Sequence, residues 1–157
     1  MTKDVLVSIS GLHMDMDAQI PGPDEDDVIE VVTPATYYSK NGKHYIIYDE
    51  VNEGFSETTR NIIKLNDDFM DITRRGVSNV HMMFEKNRKN VTYYYTPYGS
   101  LLIGIDAKSV DVQETENDID VKVNYELEVN YEHMADCCIT MNIKSKDAGD
   151  FRITGAE

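Results

Sequence analysis

The sequence predicts an all-β protein, an antiparallel up-and-down β-barrel of about eight to ten strands. Three observations lead there. Apolar and polar residues alternate at every second position over long stretches, which sorts them onto opposite faces of strands. The stretches are separated by short clusters of Asn, Asp, Gly and Pro, the chemistry of tight turns. No convincing amphipathic helical period interrupts them. A sheet of this many twisted strands closes into a barrel or folds into a sandwich, and the barrel is the expectation here.

The elements follow in order. Val5, Val7 and Ile9 alternate with Leu6, Ser8 and Ser10. Asp15 to Asp27, rich in proline, glycine and acid, reads as a long mobile loop. Val28 to Ser39 is dense in β-branched and aromatic residues, and Lys43 to Val51 returns. Between them, Lys40-Asn41-Gly42-Lys43 supplies the positive φ angles of a hairpin turn. Thr58 to Leu65 comes next, and Asn66-Asp67-Asp68 turns the chain into Phe69 to Arg75. Val80 to Glu85 runs into the polar loop "KNRKN", followed by Val91 to Thr96. Thr96-Pro97-Tyr98-Gly99 has proline second and glycine fourth, as a type I turn prefers.

After that turn the apolar phase is Leu101, Ile103, Ile105 and Ala107, and then it slips to Val110 and Val112. A phase slip inside a strand predicts a bulge near Ala107 to Ser109. From Ile119 to Tyr131 every odd position is apolar or aromatic and every even one polar. Cys137, Ile139, Met141 and Ile143 repeat the rule. The expected organisation is one barrel domain over residues 1–146 and a loosely held tail, 147–157, with no internal repeat.

The chain of 157 residues has 15 Lys and Arg against 29 Asp and Glu, a formal net charge of −14. Such a field repels polyanions, so neither nucleic acid nor an anionic membrane is expected as a partner. The N-terminus lacks a secretory apolar segment and no run reaches the length of a membrane-spanning helix. The expected location is the cytoplasm. Adjacent Cys137 and Cys138 point to opposite faces of a strand, poor geometry for a disulfide and consistent with a reducing compartment.

Several motifs together resemble a known family. Tyr48-Asp49-Glu50 closes a strand after an Asn-Gly hairpin, and Gly54 follows. Then come Arg74-Arg75-Gly76, Met83-Phe84-Glu85 and Tyr94-Tyr95-Thr96-Pro97-Tyr98-Gly99. Over Val5 to Lys144 the chain resembles the YwiB-like family of small bacterial proteins of unknown function. The resemblance implies a lipocalin-like (calycin-type) barrel and carries over no catalytic residue.

Candidate site residues come from ionisable groups in an apolar phase. Arg74 is in phase with Met70 and Ile72, and Glu50 with Ile46 and Tyr48. Both therefore point inward near strand ends, either as a polar anchor for a ligand's carboxylate or phosphate or as a structural ion pair. Tyr93 and Tyr95 share one face and Tyr94 takes the other, so three tyrosines in a row are not one stacking platform. The ligand-binding candidates are Arg74, Glu50, Tyr48 and Tyr94.

Asp15, Asp17, Asp24, Glu25, Asp26 and Asp27 lack the spacing of a calcium loop. His13, His44, His81 and His133 form no local metal motif. There is no nucleophile elbow and no phosphate loop. The expectation is a non-enzymatic protein without cofactor or metal, binding a small hydrophobic or amphipathic ligand inside the barrel. Met70, Ile72, Tyr125, Leu127 and Met141 are inward candidates bulky enough to fill that interior instead. The alternative is a structural or protein-interaction module, monomer or homodimer.

Overall fold

A computed structural model describes residues 3–11, 30–51, 58–76 and 79–146. The expected loop 15–27, the acidic set within it, His13, Gly54 and the tail 147–157 lie outside these residues. The described chain is ten strands: β1 (Asp4–Ser10), β2 (Glu30–Lys40), β3 (Lys43–Val51), β4 (Thr58–Leu65), β5 (Phe69–Arg75), β6 (Asn79–Glu85), β7 (Arg88–Thr96), β8 (Gly99–Glu114), β9 (Asp118–Val129) and β10 (Glu132–Ser145). Every pairing is antiparallel and joins consecutive strands except that of β1 with β10, which closes the sheet on itself. The predicted fold class is therefore the observed one.

The turns are as local chemistry dictates. Lys40 pairs with Lys43 around Asn41 and Gly42, both at positive φ, as a type I′ hairpin requires. Asn66 holds the β4–β5 turn with its own side chain: Oδ1 accepts from the backbone N–H of Asp68 at 2.8 Å and of Phe69 at 3.1 Å. The predicted bulge is present, a register shift between Ala107 and Ser109.

Three boundaries differ from the sequence reading. Asn130 and Tyr131 both have positive φ and form the β9–β10 turn, so Tyr131 is exposed and does not extend the buried face. The loop expected over Lys86 to Asn90 shrinks to Lys86 and Asn87, because Arg88 already pairs with Ala107 of β8. Charged side chains on the outer face do not stop a strand whose backbone has a partner; Lys89 reaches Glu128 on that face at 2.7 Å. β10 begins well before Cys137, and a second register shift between His133 and Ala135 lets its polar start stay paired with β9.

The interior is one packed apolar cluster. Val5, Val7, Ile46, Ile63, Leu65, Met70, Phe84, Ile103, Ile105, Ile119, Ile139 and Ile143 are sealed from solvent. The five bulky candidates for filling the barrel, Met70, Ile72, Tyr125, Leu127 and Met141, all belong to it. Phe84 and Tyr125 meet edge-on with ring centroids 5.0 Å apart, a preferred aromatic geometry.

Polar groups cork both ends. Beyond the bulge, β8 runs on to Glu114, whose carboxylate lies 3.3 Å from Nε2 of His44 on β3. Those strands are not neighbours in the ring, so the contact crosses the barrel mouth. Nδ1 of His44 in turn meets the Tyr37 hydroxyl at 2.7 Å. Burial first, then the Glu114 charge, pushes the Tyr37 phenol above its ordinary pKa.

Candidate functional site

Strand register assembles the predicted site residues into one belt. Tyr48 pairs with Asn61, Asn61 with Arg74, Arg74 with Val80, and Val80 with Tyr94. Partners directly opposite in a sheet point to the same face. Four adjacent hairpins thus place Tyr48, Arg74 and Tyr94 at one level of the inner wall, and Glu50 stands two residues beyond Tyr48 on the same strand.

The belt is a linked polar unit. Arg74 Nη1 lies 2.8 Å from Glu50 Oε1. Asn61, wholly buried, donates from Nδ2 to Glu50 Oε1 at 3.0 Å and accepts from Arg74 Nη1 at 3.4 Å. The Arg74 side chain is 12% exposed and that of Glu50 29%, so the pair sits at the rim rather than in the centre. Burial, and then the Glu50 charge, pushes the Tyr48 phenol up to about 12, with Arg74 pulling the other way. Tyr94 is buried in the same belt.

Sequence reasoning missed Asn61. The signal was available, since Asn61 stands in phase with Ile63 and Leu65 on a strand whose odd positions are otherwise apolar or hydroxylic. A buried side-chain amide needs partners for both its oxygen and its nitrogen, and the facing Glu50 and Arg74 supply them.

Arg74, its guanidinium turned inward, also borders a hollow of the outer wall. A hollow of about 280 Å³ opens where β5, β6 and β7 meet, lined by Arg74, Arg75, Asn79, His81, Tyr93 and Tyr95 together with threonines and Val80. No carboxylate lines it. The Tyr93 and Tyr95 rings stand 51% and 54% exposed, with centroids 5.9 Å apart. Nε2 of His81 lies 2.9 Å from the largely buried carboxylate of Asp71. The Nε of Arg74 is buried without a hydrogen-bond partner, which costs about 1–3 kcal/mol relative to a satisfied donor.

A larger hollow, about 390 Å³, lies on the outside of β1, β8, β9 and β10. Its lining of Ser10, Asp111, Asp120, Lys122, Thr140 and Asn142 offers carboxylates, hydroxyls and no aromatic ring. Asn142 already bridges Asp118 and Asp120 there. Elsewhere Glu126, His133 and Asp136 bring donor atoms within 4.8 Å of one another. They are occupied with each other and with Lys108, whose ammonium lies 3.6 Å from Glu126. The cysteines are free and split as expected, Cys137 buried and Cys138 exposed. Burial pushes the Cys137 thiol up, away from reactivity.

A closed antiparallel barrel with a packed interior, a polar belt at one end and no helix among the described residues defines the class. Within that class, the chain belongs to the family described as a domain of unknown function, DUF1934, which matches residues 14–141. The resemblance read from the Arg-x-Gly and Tyr-x-Thr-Pro-Tyr-Gly motifs leads to the same place: the chain is similar to the crystal structure of the ywiB protein from Bacillus subtilis. That likeness has a TM-score of 0.70 and 17% identity over 91% of this chain and 92% of the other, and is one of fold. No curated protein matches. Among the described residues no helix is long and apolar enough to cross a membrane.

Proposed function

We propose that this protein is a non-enzymatic cytoplasmic binding protein that takes a small amphipathic ligand, with a negative end, in the wall hollow between β5, β6 and β7. The observation that carries this reading is the hollow's lining. In a chain of net charge −14, it gathers Arg75, His81 and two half-exposed tyrosines, beside inward-turned Arg74, without one carboxylate. Ligand sites combine apolar or aromatic surface with a few convergent polar groups. The packed interior argues against the barrel's centre as the site, and moves the ligand to its side. Two unpaired cysteines support a reducing compartment.

The test is binding of 8-anilinonaphthalene-1-sulfonate, an anionic aromatic dye that brightens on leaving water. Saturable brightening by the wild type, lost in Tyr93→Ala/Tyr95→Ala, is expected. Dye that is not taken up, or is taken up equally by the variant, overturns the reading. The exposed stripe Val91, Tyr93 and Tyr95 on β7 also supports a second reading, a homodimer through that face. Light scattering on the wild type separates the two: a monomer across working concentrations removes the dimer.

A further inference from the structure

Strand parity sorts the residues of the hollow. Arg74, Val80 and Tyr94 turn inward, so their chain neighbours Arg75, His81, Tyr93 and Tyr95 share the outer face. Thr73 stands opposite His81 there, and Asn79 opposite Tyr95. Arg75 stands opposite Arg60, whose guanidinium is already held by Asp49 at 3.0 and 3.3 Å. Arg75 itself has no ion-pair partner among the described residues. His81 is held from one side: its Nε2 lies 2.9 Å from Oδ1 of Asp71, a side chain only 12% exposed. Its Nδ1 has no hydrogen-bond partner among the described residues. Resting on the ligand reading above, we infer that the hollow takes up a proton with its anion. Arg75 and a protonated His81 hold the negative end, Tyr93 and Tyr95 hold the apolar body, and Asp71 positions His81.

The chemistry of the ring forces this coupling. An ionised carboxylate only accepts hydrogen bonds, so the Nε2 of His81 carries the proton that faces Asp71. In neutral His81 the other nitrogen, Nδ1, then presents a lone pair, which repels the oxygen of an anion. In the imidazolium the same atom presents an N–H, a charge-assisted donor to that oxygen. The proton that binds with the ligand therefore sits on Nδ1, and Asp71 supports the resulting positive charge from the opposite edge of the ring. The other ionisable groups around His81 are Asp71 and Arg75 on β5, Arg60 and Lys64 on β4, and Tyr93 and Tyr95 on β7; Lys64 stands opposite Asp71. β8 adds only Leu102, opposite Tyr93. Among these residue types the imidazole is the one built to gain a charge near neutral pH.

The experiment titrates the full chain with 8-anilinonaphthalene-1-sulfonate from about pH 5 to about pH 9, the range in which histidine changes charge. The sulfonate stays ionised throughout, so any pH dependence belongs to the protein. Calorimetry in two buffers of different ionisation enthalpy counts the protons taken up. Affinity is expected to fall about tenfold or more as pH rises, the scale of a lost charge-assisted bond, with uptake of up to about one proton per dye along the fall. His81→Gln should bind weakly and evenly across the range, which also controls for the general gain of positive charge in acid. Asp71→Asn still accepts from Nε2 but lacks the charge, so the fall should move to lower pH, a shift that a purely structural Asp71 would not cause. Arg75→Gln should weaken binding at every pH and leave the fall in place. Dye taken up in a Tyr93- and Tyr95-dependent way, but evenly across pH and without proton uptake, overturns this inference and leaves the ligand reading standing. A fall that persists in His81→Gln does the same. If no dye is taken up saturably at any pH, both fall together.

Discussion

Replacing Glu50 by glutamine tests whether the polar belt is a single unit. Glutamine keeps the volume and still accepts from Asn61 and Arg74, so the change isolates the charge. At an effective dielectric of about 20, opposite charges about 4 Å apart attract by roughly 4 kcal/mol. Removing one member of a buried pair costs about 3–5 kcal/mol, since the other charge is left uncompensated. With Arg74 12% and Glu50 29% exposed, water recovers part of that, and Glu50→Gln should destabilise by about 2–3 kcal/mol. Arg74→Met strands the Glu50 carboxylate instead, but that group is the more exposed of the two and the stranded Nε–H goes as well, so it should cost less, about 1 kcal/mol. In the double variant no charge remains to be stranded. Its cost should stay near that of Arg74→Met alone, giving a coupling of roughly 2 kcal/mol between the sites. Urea unfolding followed by circular dichroism measures all three, and an unchanged slope keeps the comparison valid. A Glu50→Gln loss below about 0.5 kcal/mol, with additive single changes, would refute the linked-belt reasoning.

Other outcomes follow from single side chains. The Tyr48 phenol is held at about 12 against about 10 when unfolded, so the folded state keeps this proton longer. Its stabilising contribution is complete below pH 10 and lost as pH rises towards 12, about 3 kcal/mol in all; Tyr48→Phe should flatten that alkaline decline in a pH series of denaturation midpoints. Thiol titration of the native protein with a disulfide reagent should show one fast cysteine, removed by Cys138→Ser, and a slow Cys137 that reacts only on unfolding. Gly11 has a φ of +87° and a Cβ there would overlap the carbonyl oxygen of Cys138, so Gly11→Ala should destabilise by about 2–4 kcal/mol in urea. A loss under 0.5 kcal/mol would mean that the backbone yields there far more readily than its contacts suggest.

Much of the molecule was determined by local pattern. Alternation over Ile119 to Val129 set which side chains are buried, the slip from Ala107 to Val110 announced a bulge, and Asn41-Gly42 named its turn. The same parity turned Arg74 and Glu50 inward and set Tyr94 against Tyr93 and Tyr95. These are properties of neighbouring residues, because a strand's side chains change face at every step whatever the strand pairs with. Tyr131 shows the limit: its parity was apolar, yet a two-residue turn took it out of the strand.

Tertiary structure alone decided who meets whom. Val5 faces Ser145, and Glu114 crosses the mouth to His44. Asn61 joins Glu50 to Arg74, and β5, β6 and β7 gather arginine, histidine and tyrosine round one hollow. Period-two alternation is blind to register and to closure. Those depend on the twist accumulated over ten strands and on contacts between residues far apart in the chain, which no local spacing records.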